Sequence, residues 1–353
     1  MPAALPPLPV EDLDHVLAHT GRLWAGARGA TFFITGGTGF FGMWLLESFA
    51  RANDTLGLGM RATVLTRDPV AFALKAPHLA GRSDLTFHRG DLRTFAFPAG
   101  RFTQLIHAAA DTGVWTKNES PAGLIERIAE GMRHVLDFAA VAGVKNFLHV
   151  SSGAVYGPQP ATLTHVPEDY PGIADPLPAG AAWAEGKRVA EQLSVAHAAR
   201  HGYALKIARC FAYVGPHLDE NYAISNFITD ALHGRPVQVK GDGTPHRSYL
   251  YASDLAIWLW TLLFAGAPGR AYNVGSPVSV SIAEVAQIVA AASGEKLPVK
   301  IAEAPQSGRP LSRYVPSIAR AEVELGLRAW IPLDEAVRKT LAWQRSAKAV
   351  LSP

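Results

Sequence analysis

The stretch from Thr31 to Gly42 reads TFFITGGTGFFG, a run of β-branched and aromatic residues, a turn and a helix start, with Gly36, Gly39 and Gly42 spaced GxxGxxG. Each glycine meets a different steric demand. The first lets the chain double back, the second lets backbone approach a pyrophosphate, and the third lets the helix pack on the strand. The helix N-terminus adds N–H donors and a partial positive charge. Such a turn commits the chain to a βαβ unit, hence to a parallel sheet, and assigns Gly36, Gly39, Phe40, Phe41 and Gly42 to dinucleotide binding.

Further runs of strand character follow at 62–66, 85–89, 105–109, 146–151 and 204–209, with helical stretches between them. Alternating strands and helices predict a doubly wound parallel α/β sheet of Rossmann type. Before it, Val10, Leu13, Val16, Leu17, Leu23 and Trp24 recur at helical spacing, so residues 1–29 read as a helical extension. The dinucleotide-binding domain is assigned to 30–212 with about 245–275, and a smaller mixed α/β C-terminal substrate lobe to 213–244 and 276–345, the substrate lying between the two. Pro171 to Gly186, rich in Pro, Gly and Ala, reads as a loop feeding a helix.

Composition narrows the function classes. With 48% hydrophobic residues in 353, the chain can bury a large core and is too apolar for disorder. Its 33 basic and 30 acidic residues form no basic run that would track a phosphate backbone, which argues against nucleic acid. One cysteine, Cys210, excludes an internal disulfide and a multi-cysteine zinc site and suits a reducing compartment. The Pro-rich start lacks the pattern of an export signal. The apolar stretch Leu255 to Ala267 falls short of the roughly 20 residues that cross a bilayer, so it reads as a buried helix carrying Trp258 and Trp260. A cytoplasmic protein with no membrane partner is expected. The 13 histidines are dispersed and read as structural or surface groups, so no metal is expected.

The second strand ends at Thr66-Arg67-Asp68, where an adenine ribose would lie. Arg67 suits a 2′-phosphate, tilting the cofactor towards NADP over NAD; in the other reading Arg67 stacks on adenine or faces solvent, and Asp68 takes the ribose. Asp91 and Leu92, past the third strand, are placed to meet the adenine edge.

These residues, with HAAA at 107–110, SSGAVYG at 151–157 and Lys187, resemble the extended short-chain dehydrogenase/reductases, in particular the nucleotide-sugar epimerase/dehydratase family. IARCFAYVGP (207–216), GDGTPHRSYLYASD (241–254) and YNVG (272–275) extend the likeness, which runs from about Thr31 to Trp343. The resemblance implies that Ala108 and Ala109 line the cofactor and that Ser152 hydrogen-bonds the reacting sugar oxygen. It implies that Lys187 binds the nicotinamide ribose and lowers the pKa of a tyrosine four residues earlier. It further implies a nucleoside diphosphate sugar, gripped by Arg247 in the 241–254 motif, and a homodimer is expected. Arg309 is a second candidate on chemistry alone, since a guanidinium fork suits a diphosphate; the alternative for both is a solvated surface charge.

That tyrosine is absent: position 183 is tryptophan. Residues 183 and 187 share a helix face, so Trp183 takes the tyrosine's place, and an indole donates a hydrogen bond without ionising near neutral pH. Cys210 and Tyr156 are the nearest other proton carriers by motif position. Gly153 and Ala154 stand where the family's 4,6-dehydratases carry an acidic pair, which argues against dehydration, and the glutamate usual in the decarboxylases is also missing. Ala212 and Ser248 replace a family Asn and Asp. The expected function is an NAD(P)-dependent nucleotide-sugar epimerase or reductase, transferring hydride at a sugar carbinol or ketone and impaired by Trp183. The alternatives are a non-catalytic dinucleotide sensor or scaffold and a reductase of a lipid or aromatic ketone.

Overall fold

The computed structural model describes residues 4–109, 120–172, 175, 178–306, 308 and 310–351. Six strands lead the chain: β1 (Thr31–Thr35), β2 (Arg61–Thr66), β3 (Leu85–Arg89), β4 (Gln104–His107), β5 (Asn146–Ser152) and β6 (Ala204–Cys210). Short strands follow: β7 (Tyr213–Val214), β8 (Val237–Val239), β9 (His246–Arg247), β10 (Leu250–Tyr251), β11 (Arg270–Val274), β12 (Val280–Ser281), β13 (Val299–Ile301) and β14 (Arg313–Tyr314).

The main sheet has seven strands in the order β11-β6-β5-β4-β1-β2-β3, and β1 to β6 pair in parallel. This is the doubly wound Rossmann-type fold. Strand order reverses between β1 and β4, which are neighbours, and ligands of such sheets bind at the strand ends beside that switch. Phe32, Phe33 and Ile34 of β1 are all inaccessible, as a strand covered on both faces requires. The fourth strand ends at His107, two residues before the sequence reading, because its partner β1 ends at Thr35, the residue that pairs with His107.

Helix Phe40–Leu56 closes on Gly57 in the left-handed region, at φ 58°. Helix Pro121–Ala142 is capped by Ser120, whose hydroxyl accepts the Gly123 N–H at 3.1 Å, with Pro121 in the first turn. It packs on helix Ala182–His201, where a Cβ on Gly186 would lie 2.7 Å from the tip of the Ile128 side chain, which would have to shift to admit it. Beneath them Phe33, Phe95, Phe102 and Phe138 form one aromatic core.

Helix Ala252–Ala265 is buried, as its sequence suggests: Trp258 and Trp260 are inaccessible, and the Trp260 indole N–H bonds Ser48 Oγ at 2.8 Å. No described helix is long and apolar enough to cross a membrane. The N-terminal helix Val10–Thr20 and the turn Trp24–Ala27 lie against these elements, with Trp24 4.5 Å from Trp260 between ring centroids and Asp14 paired to Arg51 at 2.6 Å.

The chain divides into two compact units. The first is Met1–Gly157, Ile173–Cys210 and Ala256–Tyr272, and holds the main sheet to Tyr272. The second is Pro158–Gly172, Phe211–Leu255 and Asn273–Pro353. It contains a three-stranded sheet, β12-β9-β14, two strand pairs, and helices Ala223–Leu232 and Ile282–Ala292, the latter begun by a capping box of Ser281 and Glu284.

Candidate functional site

The glycine turn stands at the C-terminal end of β1. Gly36 has φ +74°, and a Cβ there would come within 2.5 Å of the Ala108 backbone. A Cβ on Gly42 would collide with Gly37, so the third glycine is needed for the helix to meet its own turn. Gly39 differs. It is exposed, has φ −89°, and a Cβ on it would meet only the Gly36 carbonyl oxygen, at 3.6 Å. Folding does not demand glycine at 39, whereas a pyrophosphate seated on the N-terminus of this 17-residue helix would. The residues present therefore fit a dinucleotide.

This distinction is testable. Gly39→Ala is expected to leave the thermal midpoint nearly unchanged while weakening NAD(P) binding by about tenfold or more, the effect of one overpacked methyl. Equal affinities by calorimetry would show that the turn does not hold the pyrophosphate.

Around the turn, Phe40 and Phe41 are half-buried with ring centroids 5.7 Å apart, the Ala109 N–H donates to Thr35 Oγ1 at 3.3 Å, and Ala110 lies outside the described residues. Arg67 is exposed just past β2. Asp68 caps the next helix by accepting the Ala71 N–H at 2.9 Å. Asp91 accepts from the backbone and side chain of Arg93, each at 3.0 Å. The Leu92 side chain packs against the helix core opposite Gly131.

The reactive end lies where β5, β6 and helix Ala182–His201 meet. Ser152 ends β5, half-buried, its hydroxyl accepting the Ala154 N–H at 3.1 Å, and Cys210 of β6 is its partner in register. Lys187 is 4% exposed, with Nζ 5.1 Å from the centre of the Trp183 ring. The helix thus sets Trp183 one turn before Lys187, on the same face, as the spacing predicts. Burial pushes the Lys187 ammonium down to about 8, against the pull of Cys210 and Glu191.

Behind these groups runs a buried network that sequence reasoning did not assemble. Ser151 donates to Glu191 at 2.6 Å, Glu191 pairs with Arg209 at 2.8 Å, and Arg209 donates to the Tyr156 hydroxyl at 2.9 Å while lying over its ring. It ties β5, the following turn, the Lys187 helix and β6 together beside Ser152. A second buried pair, His107 and His149, are register partners on β4 and β5. Burial and then the Lys187 charge push His107 down to about 3, so it is neutral, and Thr35 Oγ1 lies 2.8 Å from its Nδ1.

In the second unit, Arg247 of β9 stands opposite Tyr314 and Val280, and one guanidinium N–H reaches the His246 carbonyl at 2.8 Å. Its charge is felt by Tyr249, whose phenol burial nevertheless pushes up to about 12. Ser248 is fully buried, and its hydroxyl meets no partner among the described residues. Arg309 lies outside the described residues. Two motif residues prove to be internal fasteners. Asp254 accepts the Trp330 and Ile331 N–H groups at 2.8 and 2.9 Å, and the Asn273 side chain donates to the carbonyls of Val166 and Ser317. Among the described residues, no three His, Cys, Asp or Glu side chains converge as a metal set.

The chain is similar to known proteins of one family. The model of the NAD dependent epimerase/dehydratase family matches residues 32–275. A dTDP-glucose 4,6-dehydratase of Streptomyces antibioticus is 27% identical over 329 residues, covering 91% of this chain and 94% of its own. UDP-glucuronic acid decarboxylase 5 of Arabidopsis thaliana is 31% identical over 238 residues, 66% of this chain and 67% of its own. Among solved structures, the UDP-glucose 4-epimerase of Thermus thermophilus, in complex with NAD, superposes with a TM-score of 0.72 at 26% identity, covering 90% of this chain and 99% of its own. A dTDP-glucose 4,6-dehydratase of Streptomyces venezuelae shares the fold, with a TM-score of 0.74 at 24% identity, covering 91% and 98%.

Proposed function

The chain belongs to the NAD dependent epimerase/dehydratase family, and from that premise we propose that it is an NAD(P)-dependent enzyme of nucleoside diphosphate sugars, an epimerase or reductase working at a sugar carbinol or ketone, slowed by Trp183. The observation that carries the reading is Lys187, whose charge is held 96% out of solvent against the Trp183 ring, with Cys210 and Glu191 near enough to pull on it. Burying an ammonium is costly, and a ribose diol offers it acceptors.

The groups divide the work. Gly36, Gly39 and Gly42 cradle the pyrophosphate, Ala108 and Ala109 back it, and Asp91 and the Leu92 backbone meet the adenine. Arg67 is the candidate reader of a 2′-phosphate. The nicotinamide, when bound, supplies hydride acceptance and return. Ser152 orients the reacting sugar oxygen, Lys187 holds the nicotinamide ribose, and Arg247, with Arg309, takes the sugar diphosphate. Dehydration is disfavoured by Gly153 and Ala154, which offer no acid or base. The second reading, a non-catalytic dinucleotide sensor, draws its support from Trp183, which puts a group unable to exchange a proton at the usual place of the acid/base.

Arg247→Ala tests the substrate class. Loss of one charged hydrogen-bonding partner is expected to weaken nucleoside diphosphate sugar binding by roughly 1.5 to 3 kcal/mol, read by calorimetry with the cofactor present. Unchanged affinity would remove Arg247 from the diphosphate, and failure of every nucleotide sugar to bind the unmodified chain would favour the lipid-ketone reading.

A further inference from the structure

Two pairs of histidines stand four residues apart on helices: His15 and His19 in helix Val10–Thr20, and His197 and His201 in helix Ala182–His201. Side chains at that spacing lie one above the other on one helix face. In the second pair the ring centroids are 4.1 Å apart. We propose that His197 and His201 form a two-histidine site for a divalent transition-metal cation of the kind imidazole favours, copper, nickel or zinc, with water completing the coordination. The sequence reading, in which every histidine is a structural or surface group and no metal binds, is thereby revised at this pair.

Two observations converge. The first is orientation. His197 is half-buried, and its Nδ1 lies 3.0 Å from the hydroxyl of Tyr203, itself 7% exposed and packed on Phe147. A histidine that ligates through one ring nitrogen donates the N–H of the other to a fixed acceptor, which sets its tautomer and its direction. With Nδ1–H given to the phenol oxygen, Nε2 is left as the ligating atom. His201 is exposed and can swing about its broad second torsion to bring a nitrogen to the same ion.

The second is charge. The pair spans the last turn of the helix, which closes on Gly202 at φ 75° as the Gly202 N–H bonds the Ala198 carbonyl at 2.8 Å. The carbonyl ends of that terminus carry a partial negative charge, which favours a cation. Asp137, exposed on the neighbouring helix Pro121–Ala142, acts on His197 in the same sense, while the charge of Arg200 in the same turn opposes it.

The ion would sit far from the chemistry. Lys187 and His197 are ten residues apart, roughly 15 Å along the helix axis. Its effect is therefore on the fold: an ion held by two residues of one turn pins the end of the helix that carries Trp183 and Lys187. Because the folded chain alone presents both rings together, occupancy raises the midpoint of thermal unfolding.

The test is calorimetry on the full, untagged chain, titrated with the chlorides of copper(II), nickel(II) and zinc(II), with magnesium as the hard-cation control. Copper is expected to bind most tightly, nickel and zinc more weakly, and magnesium not at all. His197→Ala and His201→Ala should each weaken copper by about tenfold or more, and so should Tyr203→Phe, which keeps the packing on Phe147 but removes the orienting oxygen. Copper on the unmodified chain should show two imidazole nitrogens by electron paramagnetic resonance. The pair His15 and His19 is the comparison, since it has the spacing but His19 Nδ1 lies 2.9 Å from the His15 carbonyl of its own helix instead of a buried side chain. Replacing both by alanine should leave the tight site in place. The proposal is overturned if copper binds the unmodified chain no more tightly than it binds His201→Ala, or if the tight site is lost with His15 and His19 instead. Titration of the same variants with NAD(P) reads the dinucleotide site separately.

Discussion

Trp183→Tyr is expected to raise turnover of a nucleotide sugar by about a hundredfold or more, the usual worth of a positioned general acid or base. The position is already prepared for a phenol. The side chain at 183 faces the Lys187 ammonium across one helical turn, 5.1 Å from ring centre to Nζ, and a nearby positive charge favours a phenolate. Ser152 stands at the end of β5 with its hydroxyl free to donate while it accepts from Ala154. The indole now present can donate but cannot take up a proton. Single-turnover absorbance of the reduced nicotinamide, followed by product analysis over a panel of nucleotide sugars, reads the gain.

Trp183→Phe separates chemistry from bulk. It removes the indole without adding an acid, so it should remain as slow as the unmodified chain. If it matches the tyrosine variant, the obstacle was the size of the tryptophan. If the tyrosine variant gains nothing, the proton comes from elsewhere, and Tyr156, held by Arg209, and Cys210, opposite Ser152 in register, become the groups to replace next. Sugar binding by both forms with reaction by neither would favour the non-catalytic reading.

What the sequence discloses depends on whether a feature is local. The glycine turn, β1 and the Trp183–Lys187 pair are each written in a dozen residues or fewer, and their geometry follows from backbone sterics and helical period. The Asp68 cap is likewise local, an Asp before a Pro at a helix start, and it adds a structural role to a residue that the sequence offers as a ribose ligand only in the alternative to Arg67. The Ser151–Glu191–Arg209–Tyr156 network joins elements that become neighbours only once the sheet is ordered. The second unit was hardest, since strands of two residues such as His246–Arg247 have no period to detect. There the family-like motifs were visible but their work was not, as Asp254 and Asn273 turn inward to hold backbone.

Lys187→Met is expected to make the protein more stable and the enzyme worse. Burial lowers the lysine from its ordinary 10.5 to about 8, so the folded chain binds the proton less readily than the unfolded one. Below about pH 8 the amine is charged in both states and the fold bears the full cost, of order 3 kcal/mol for a shift of that size. As pH rises towards 10.5 the folded amine loses its proton first and the cost fades, so this group makes the unmodified chain gain stability across that window. Methionine removes the cost, offset by about 1 kcal/mol of lost cation–π attraction to Trp183. The midpoint of thermal unfolding should therefore rise at neutral pH, and its climb above pH 8 should flatten. Meanwhile the nicotinamide ribose loses a charged donor, and NAD(P) affinity should fall by about tenfold or more. A residue that weakens the empty fold and strengthens the loaded one is kept for its ligand. If Lys187→Met instead destabilises the chain and leaves cofactor affinity unchanged, the ammonium is a structural group, and the active-site reading of this helix fails with it.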